Sequence, residues 1–123
     1  MVKNQNSKQY DLEDRSFNFA KNVRHFIRSL PKDRLIFEDY IQLIRSSGSI
    51  GANYIEANEA ISKKDFVHRI KISRKEAKES IYWLKLLEVE GELLIQRRNE
   101  LITESTELML ILSSIMRKAE NLV

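Results

Sequence analysis

The feature that most constrains this chain is an apolar helical period that continues through a segment rich in serine and glycine, residues 45–58. Ser46, Ser47, Gly48, Ser49 and Gly51 are weak helix formers, and each glycine costs about 1 kcal/mol relative to alanine. The period nevertheless recurs at steps of three and four, at Ile36, Tyr40, Leu43, Ser47, Ile50, Tyr54 and Asn58. We therefore predict one helix over residues 34–58, small enough on two faces for close packing on its own subunit and on a neighbour.

The rest of the chain also has helical periodicity. We predict a flexible tail and four helices, at residues 1–10, 11–30, 34–58, 62–90 and about 99–120. Pro31 ends the first helix, Ser62 caps the third, and Gly91 follows its end, with a turn over residues 92–99. The prediction is an all-α, up-down-up-down antiparallel four-helix bundle in one domain, residues 11–123, that assembles as a homo-oligomer.

The cysteine content, the apolar stretches and the charge distribution exclude several classes of protein. With no cysteine, the chain has neither a disulfide framework nor thiol chemistry. It shows no secretory signal and no apolar stretch long enough to span a bilayer, so we expect a cytoplasmic protein without a membrane partner. The net charge of +3 conceals two basic segments: residues 1–34 carry eight Lys/Arg against four Asp/Glu, and residues 61–90 carry eight against five.

The third helix carries a row of basic residues without an acid. Its members share one helical sector and extend over roughly 30 Å; they are Lys64, Lys71, Lys75, Lys78, Tyr82 and Lys85. Such a row suits the phosphates of a nucleic-acid strand, with Tyr82 available for stacking. A solvated helix face is the alternative, although such faces usually mix both signs of charge.

A second candidate surface lies on the first helix. Lys21, Arg24 and Arg28 share a sector with Phe17, opposite the apolar seam. Interleaved basic and aromatic residues suit nucleic acid, while Phe17 equally suits a contact between subunits.

A third sector of the third helix mixes apolar and acidic residues. Ile72 and Trp83 lie outside the predicted core face, with Glu76 and Glu79 between them. A tryptophan in this place favours a protein–protein contact. Arg45 is the expected ion-pair partner of either carboxylate, and a pair within one subunit is as consistent with the spacing as one between subunits.

Catalytic and metal sites are not predicted. Asp65 and His68 form a single acid-x-x-His pair, whereas a di-iron bundle needs two Glu-x-x-His motifs and two further glutamates. The segment 46–51 lacks the spacing and the lysine of a phosphate loop. We therefore expect no cofactor, no metal and no enzymatic activity.

Three segments resemble a known family: Arg45-Ser-Ser-Gly-Ser-Ile-Gly-Ala-Asn-Tyr-Ile-Glu-Ala-Asn58, Ser62-Lys-Lys-Asp-Phe66 and Lys75-Glu-Ala-Lys-Glu-Ser-Ile-Tyr-Trp-Leu84. They are similar to the bacterial four-helix-bundle proteins called 23S rRNA intervening-sequence, or S23-like, proteins, and the resemblance extends over nearly the whole chain. It implies a homopentamer, a suspected nucleic-acid-binding role and a family signature at Arg45, Ser49, Asn53, Glu56 and Glu79. The family is also similar to accessory proteins of diversity-generating retroelements, which implies a reverse transcriptase as a further partner.

Two hypotheses follow. In the first, a non-enzymatic oligomer binds RNA or DNA backbone through the basic faces of the first and third helices. In the second, the protein is an oligomeric scaffold or adaptor that binds no nucleic acid, and Arg45, Ser49, Asn53, Glu56, Ile72, Glu76, Glu79 and Trp83 serve assembly alone.

Overall fold

The computed structural model describes residues 7–121, with side chains from residue 12 onward, and shows four long α-helices. Their bounds are Ser7–Arg28 for α1, Phe37–Asn58 for α2, Lys63–Leu86 for α3 and Glu92–Asn121 for α4. No strand occurs in this range. The predicted all-α four-helix bundle is confirmed.

The helices pack in chain order around one core. Each helix contacts the next, α4 returns to α1, and α1 makes no contact with α3 within residues 7–121. Partners between α2 and α3 run in opposite directions, since Ser46 meets Ser80 and Asn53 meets Arg69. The bundle is therefore antiparallel, and α1 and α3 lie on its diagonal.

The ends of α1 and α2 depart slightly from the prediction. α1 begins at Ser7, four residues before its predicted start, and residues 1–6 of the predicted tail lie outside the described range. It ends at Arg28, near Pro31. Asp33 then caps a short 3₁₀ helix, Arg34–Ile36, by accepting a hydrogen bond from the Leu35 amide at 3.0 Å. For this reason α2 begins at Phe37 and not at residue 34.

The boundary between α3 and α4 was predicted incorrectly. α3 ends at Leu86 and not at residue 90, because Leu87 adopts an extended conformation and buries its side chain in the core. The Leu87 carbonyl accepts a hydrogen bond from Arg98 at 2.9 Å. Gly91, with φ +94°, comes directly before α4, so residues 92–99 form its first turns and not a loop. Most of these residues are good helix formers, and none of them is glycine or proline.

Serine is unusually frequent in the core. Six serines are at most 1% exposed, namely Ser16, Ser46, Ser47, Ser73, Ser80 and Ser105. Their hydroxyls donate to backbone carbonyls, as Ser73 does to Ile50 across α2 and α3 at 2.7 Å and Ser105 does to Ala77 across α3 and α4 at 2.9 Å. Buried hydroxyls of this kind need partners, and these bonds supply them while the helices stay close.

The structure describes no membrane-spanning segment. Between residues 7 and 121, every helix is too polar along its length to serve as a bilayer span.

The glycine at position 51 gives a test of the close packing. A Cβ there would lie 2.9 Å from the Ser16 hydroxyl oxygen and 3.4 Å from its Cβ, whereas a Cβ at Gly48 meets only the flexible end of Arg24, at 3.3 Å. We expect Gly51→Ala to lower the free energy of unfolding by about 1–2 kcal/mol, because overpacking outweighs the gain in helix propensity. Urea unfolding followed by circular dichroism measures the change.

The control is Gly48→Ala, which should be neutral or stabilising by up to about 1 kcal/mol. Adding Ser16→Ala to Gly51→Ala removes the nearest atom and should recover part of the loss. Equal stability of the two glycine variants would contradict the close-packing account.

Candidate nucleic-acid interface and signature face

The basic row of α3 lies on the outside of the bundle. All six members, Lys64, Lys71, Lys75, Lys78, Tyr82 and Lys85, are exposed. Tyr82 is 58% exposed and contacts Trp83 edge to face, with ring centroids 5.0 Å apart. The row is thus accessible to a ligand along its whole length.

One member of the basic row has an acidic partner from another helix. The Lys71 ammonium lies 3.2 Å from a carboxylate oxygen of Glu120, near the end of α4. Among the side chains of residues 12–121, no ion pair involves Lys64, Lys75, Lys78 or Lys85. Along α3 itself, the row contains no acidic residue. The tertiary structure nevertheless brings one acid, Glu120 of α4, to the N-terminal half of the row.

Only two of the three basic residues that were predicted to form the α1 face are exposed to solvent. Lys21 and Arg28 are exposed, and the Lys21 ammonium lies 5.6 Å from the centroid of the exposed Phe17 ring. Arg24 turns towards α2, where it donates to the carbonyl of Ile44 at 3.4 Å, and it also donates to the carbonyl of Ala20 on its own helix at 3.0 Å. Arg24 therefore joins α1 to α2.

The structure does not bring the two basic faces together. Because α1 and α3 lie on the diagonal of the bundle, their outer faces point in opposite directions.

The signature face lies between α2 and α3, and its residues contact one another within the chain. Arg45 donates to both Glu76 oxygens, at 3.2 and 3.3 Å, and to Glu79 at 2.8 Å. These bonds, first the one to Glu76, raise the pKa of Arg45 above its ordinary value. The ion pair predicted for Arg45 is confirmed, and it forms inside one subunit.

A second set of contacts continues this face. Arg69 donates to the Asn53 side chain at 3.2 Å, and the Asn53 amide donates to the Ser49 carbonyl at 2.9 Å. Glu56 is exposed at the far end. Most of the polar signature residues thus have partners that join α2 to α3.

The apolar members of this face remain partly accessible. Ile72 and Trp83 are half-buried, and the Trp83 indole nitrogen has no hydrogen-bond partner in the described range. Phe37 and Ile41, which the sequence analysis did not single out, are 52% and 49% exposed on α2. Their spacing of four with Arg45 places them on the same side of that helix and could have identified them.

A further ion-pair cluster between α1 and α4 was also missed. Arg15 donates to both carboxylate oxygens of Glu104, at 2.9 and 2.7 Å, and to Glu107 at 2.8 Å. The bond to Glu104 is the largest cause that raises the pKa of Arg15. No group of three His, Asp or Glu side chains suited to a metal occurs in the described range.

The Arg45 contacts predict a specific loss of stability. Glu76 is 8% exposed, so Arg45→Ala would leave a buried carboxylate without its cation, and we expect a loss of about 2–4 kcal/mol in the free energy of unfolding. Adding Glu76→Gln removes the unpaired charge and should restore part of the loss. Urea unfolding measures both; a double variant as unstable as the single one would contradict this account.

Comparison with known proteins agrees with this geometry. The chain matches the family described as 23S rRNA-intervening sequence protein over residues 8–114. It is similar to a solved structure from Bacteroides thetaiotaomicron, a protein of unknown function from the S23 ribosomal protein family, with a TM-score of 0.78 and 34% identity over 89% of this chain and 98% of that chain. None of the curated proteins matches it. The chain belongs to the 23S rRNA-intervening sequence protein family.

Proposed function

We propose that this protein is a non-enzymatic, self-assembling helical bundle that binds RNA or DNA through the backbone phosphates. The observation that carries the proposal is the exposed basic row of α3, which contains five lysines and no acid of its own helix. Lysines on flexible stems can each neutralise a phosphate, and they read charge and not base sequence. Tyr82 offers a ring on which an unpaired base can stack.

The expected energetics follow from the number of free lysines. Four lysines of the row have no ion pair in the described range, while Lys71 shares its charge with Glu120. Neutralising four phosphates gives a slope of log affinity against log salt of about −3 for a single strand and about −3.5 for a duplex. Affinity from this surface should therefore decrease steeply near physiological salt.

Self-assembly would give the second basic face a role. The outer faces of α1 and α3 point away from each other, and a strand that passes between copies of the chain would contact both kinds of face. Assembly through the signature face would also cover Trp83, Ile72, Phe37 and Ile41, whose exposure is unfavourable in an isolated bundle.

Charge reversal at Lys64, Lys71 and Lys78 tests the proposal. We expect the triple Lys→Glu variant to lose binding to labelled single-stranded RNA and DNA by more than tenfold at low salt, with a shallower salt slope, because phosphate contacts are replaced by repulsion. Fluorescence anisotropy measures affinity, and circular dichroism checks helicity.

The matched control reverses Lys32, Arg34 and Lys118, which are exposed and lie outside both predicted basic faces. It changes the net charge by the same amount and should bind more tightly than the first variant. Equal affinity of the two variants would overturn the assignment of the row. If the reversal of Lys64, Lys71 and Lys78 also unfolds the chain, Lys→Gln at the same positions replaces it.

The second candidate function is an oligomeric scaffold, and the apolar part of the signature face favours it. Under this proposal the half-buried Trp83 fills a contact with a second copy, so Trp83→Ala lowers the oligomer mass, whereas Leu110→Ala on the exposed side of α4 does not. Light scattering after size exclusion measures the mass. Absence of nucleic-acid binding in the wild type would favour this role over the first.

A further inference from the structure

The seam between α1 and α4 contains an open cleft of about 570 Å³. This volume lies in the range of small-ligand sites. The apolar floor consists of Phe19, Phe26 and Leu101, which are 1%, 2% and 8% exposed. α1 packs less extensively on α4 than on α2, and the cleft occupies the space between them. It is separate from the basic row and from the signature face.

The α1 wall of the cleft presents polar groups without partners. Asn18, Asn22 and His25 follow one another at steps of four and three on α1, and all are exposed in the cleft. Their side chains make no hydrogen bond to any residue of the described range. Asparagine is a poor residue for the interior of a helix. Two asparagines on one face lower the local stability of the helix, and no contact within the chain compensates for this loss. Such a local cost is expected where residues serve a ligand.

The α4 wall adds charges of both signs. Arg97 and Glu100 line the cleft at a spacing of three residues. Glu100 accepts a hydrogen bond from Gln96 at 3.3 Å on the exposed surface, and Arg97 makes no ion pair with the side chains of residues 12–121. Arg15 and Glu104, which also line the cleft, pair with each other, and Arg15 pairs further with Glu107. These ion pairs stabilise the seam and leave the other groups of the cleft to a ligand.

The complementarity points to a planar ligand with donors and acceptors side by side. Arg97 can only donate and Glu100 can only accept, while the asparagine amides do both. Among the bases, guanine offers acceptors at O6 and N7 beside two donors at N1 and N2. An arginine can donate to O6 and N7, and a carboxylate can accept from N1 and N2. The apolar floor and the His25 ring would contact the faces of the base, which carry no hydrogen-bonding groups.

The position of the cleft matches a strand that runs along α1. Lys21 and Arg28 lie roughly 60° around the helix from Asn18 and His25, by the helical geometry. Both are exposed at the outer rim. A backbone held there by its phosphates could place one unstacked base in the cleft.

We propose that the α1–α4 cleft, lined by Asn18, Asn22, His25, Arg97 and Glu100, binds an unpaired guanine of single-stranded RNA or DNA. This inference rests on the proposed nucleic-acid binding and adds base recognition to it. The cleft serves single strands, since paired guanine has its N1 and N2 donors occupied.

The test compares oligomers of uridine that hold one central guanosine, one inosine or no substitution, each also made in the deoxy form. Anisotropy at low salt should show tighter binding of the guanosine oligomer by about tenfold, from its bidentate contacts. Inosine lacks the N2 donor, so the affinity of its oligomer should lie between those of the guanosine oligomer and the plain uridine oligomer. A guanosine preference seen only with the ribose oligomers identifies RNA as the ligand, and one seen only with the deoxy oligomers identifies DNA.

Substitutions in the cleft test whether it is the site of guanine recognition. Glu100→Gln and Asn22→Ala should each remove most of the guanosine preference while the plain uridine oligomer keeps its affinity. The control, Glu59→Gln, changes an exposed glutamate beyond the end of α2 and should keep the preference. In a separate titration with guanosine monophosphate, the side-chain amide signals of Asn18 and Asn22 should shift in nuclear magnetic resonance spectra.

The outcomes separate the two proposals. Equal, salt-dependent binding of all oligomers, with no effect of Glu100→Gln, would overturn guanine recognition and leave backbone binding intact. Absence of binding by any oligomer would overturn backbone binding, and the guanine site would fall with it. A guanosine preference that survives both cleft variants would place recognition elsewhere and overturn the inference.

Discussion

Gly51 of α2 lies so close to α1 that a Cβ there would approach the Ser16 hydroxyl oxygen to 2.9 Å. On the other side of α2, the hydroxyls of Ser46 and Ser80 are 2.9 Å apart, and Ser73 donates to the carbonyl of Ile50. Small side chains allow these distances, and satisfied hydroxyls remove the penalty of burying them. The tight packing of α2 on both neighbours is the constraint on which the bundle depends.

The two seams that carry functional proposals differ in how they are closed. Between α2 and α3, the close backbones bring Arg45 within reach of Glu76 and Glu79, so the polar signature residues stabilise the subunit. Between α1 and α4, the helices are held by Arg15 with Glu104 and Glu107, and a cleft remains beside this cluster. Tight packing favours a structural role for the first seam, and the open second seam leaves room for a ligand.

Electrostatics adds a constraint that no single helix reveals. The lysines of α3 form an exposed row, yet Glu120 of α4 reaches Lys71, and Arg24 of α1 is directed to α2. The effective charge of each face therefore depends on neighbouring helices. Because α1 and α3 are diagonal, their charges act on opposite sides of one bundle.

The sequence by itself determined the helical class, the core face of α2 and the cap at Ser62, because each follows from periodicity or local chemistry. It named Arg45 as a partner for the α3 glutamates, and the structure decided that this pair forms inside one subunit. Only the tertiary structure decided where α3 ends, since extended Leu87 is stabilised by burial. It also decided that Arg24 faces α2 and that Asn22 faces Arg97 and Glu100 across a cleft. Periodicity assigns a residue to a face of its own helix; which side chain of another helix it meets depends on the packing distance and axial register of the two helices.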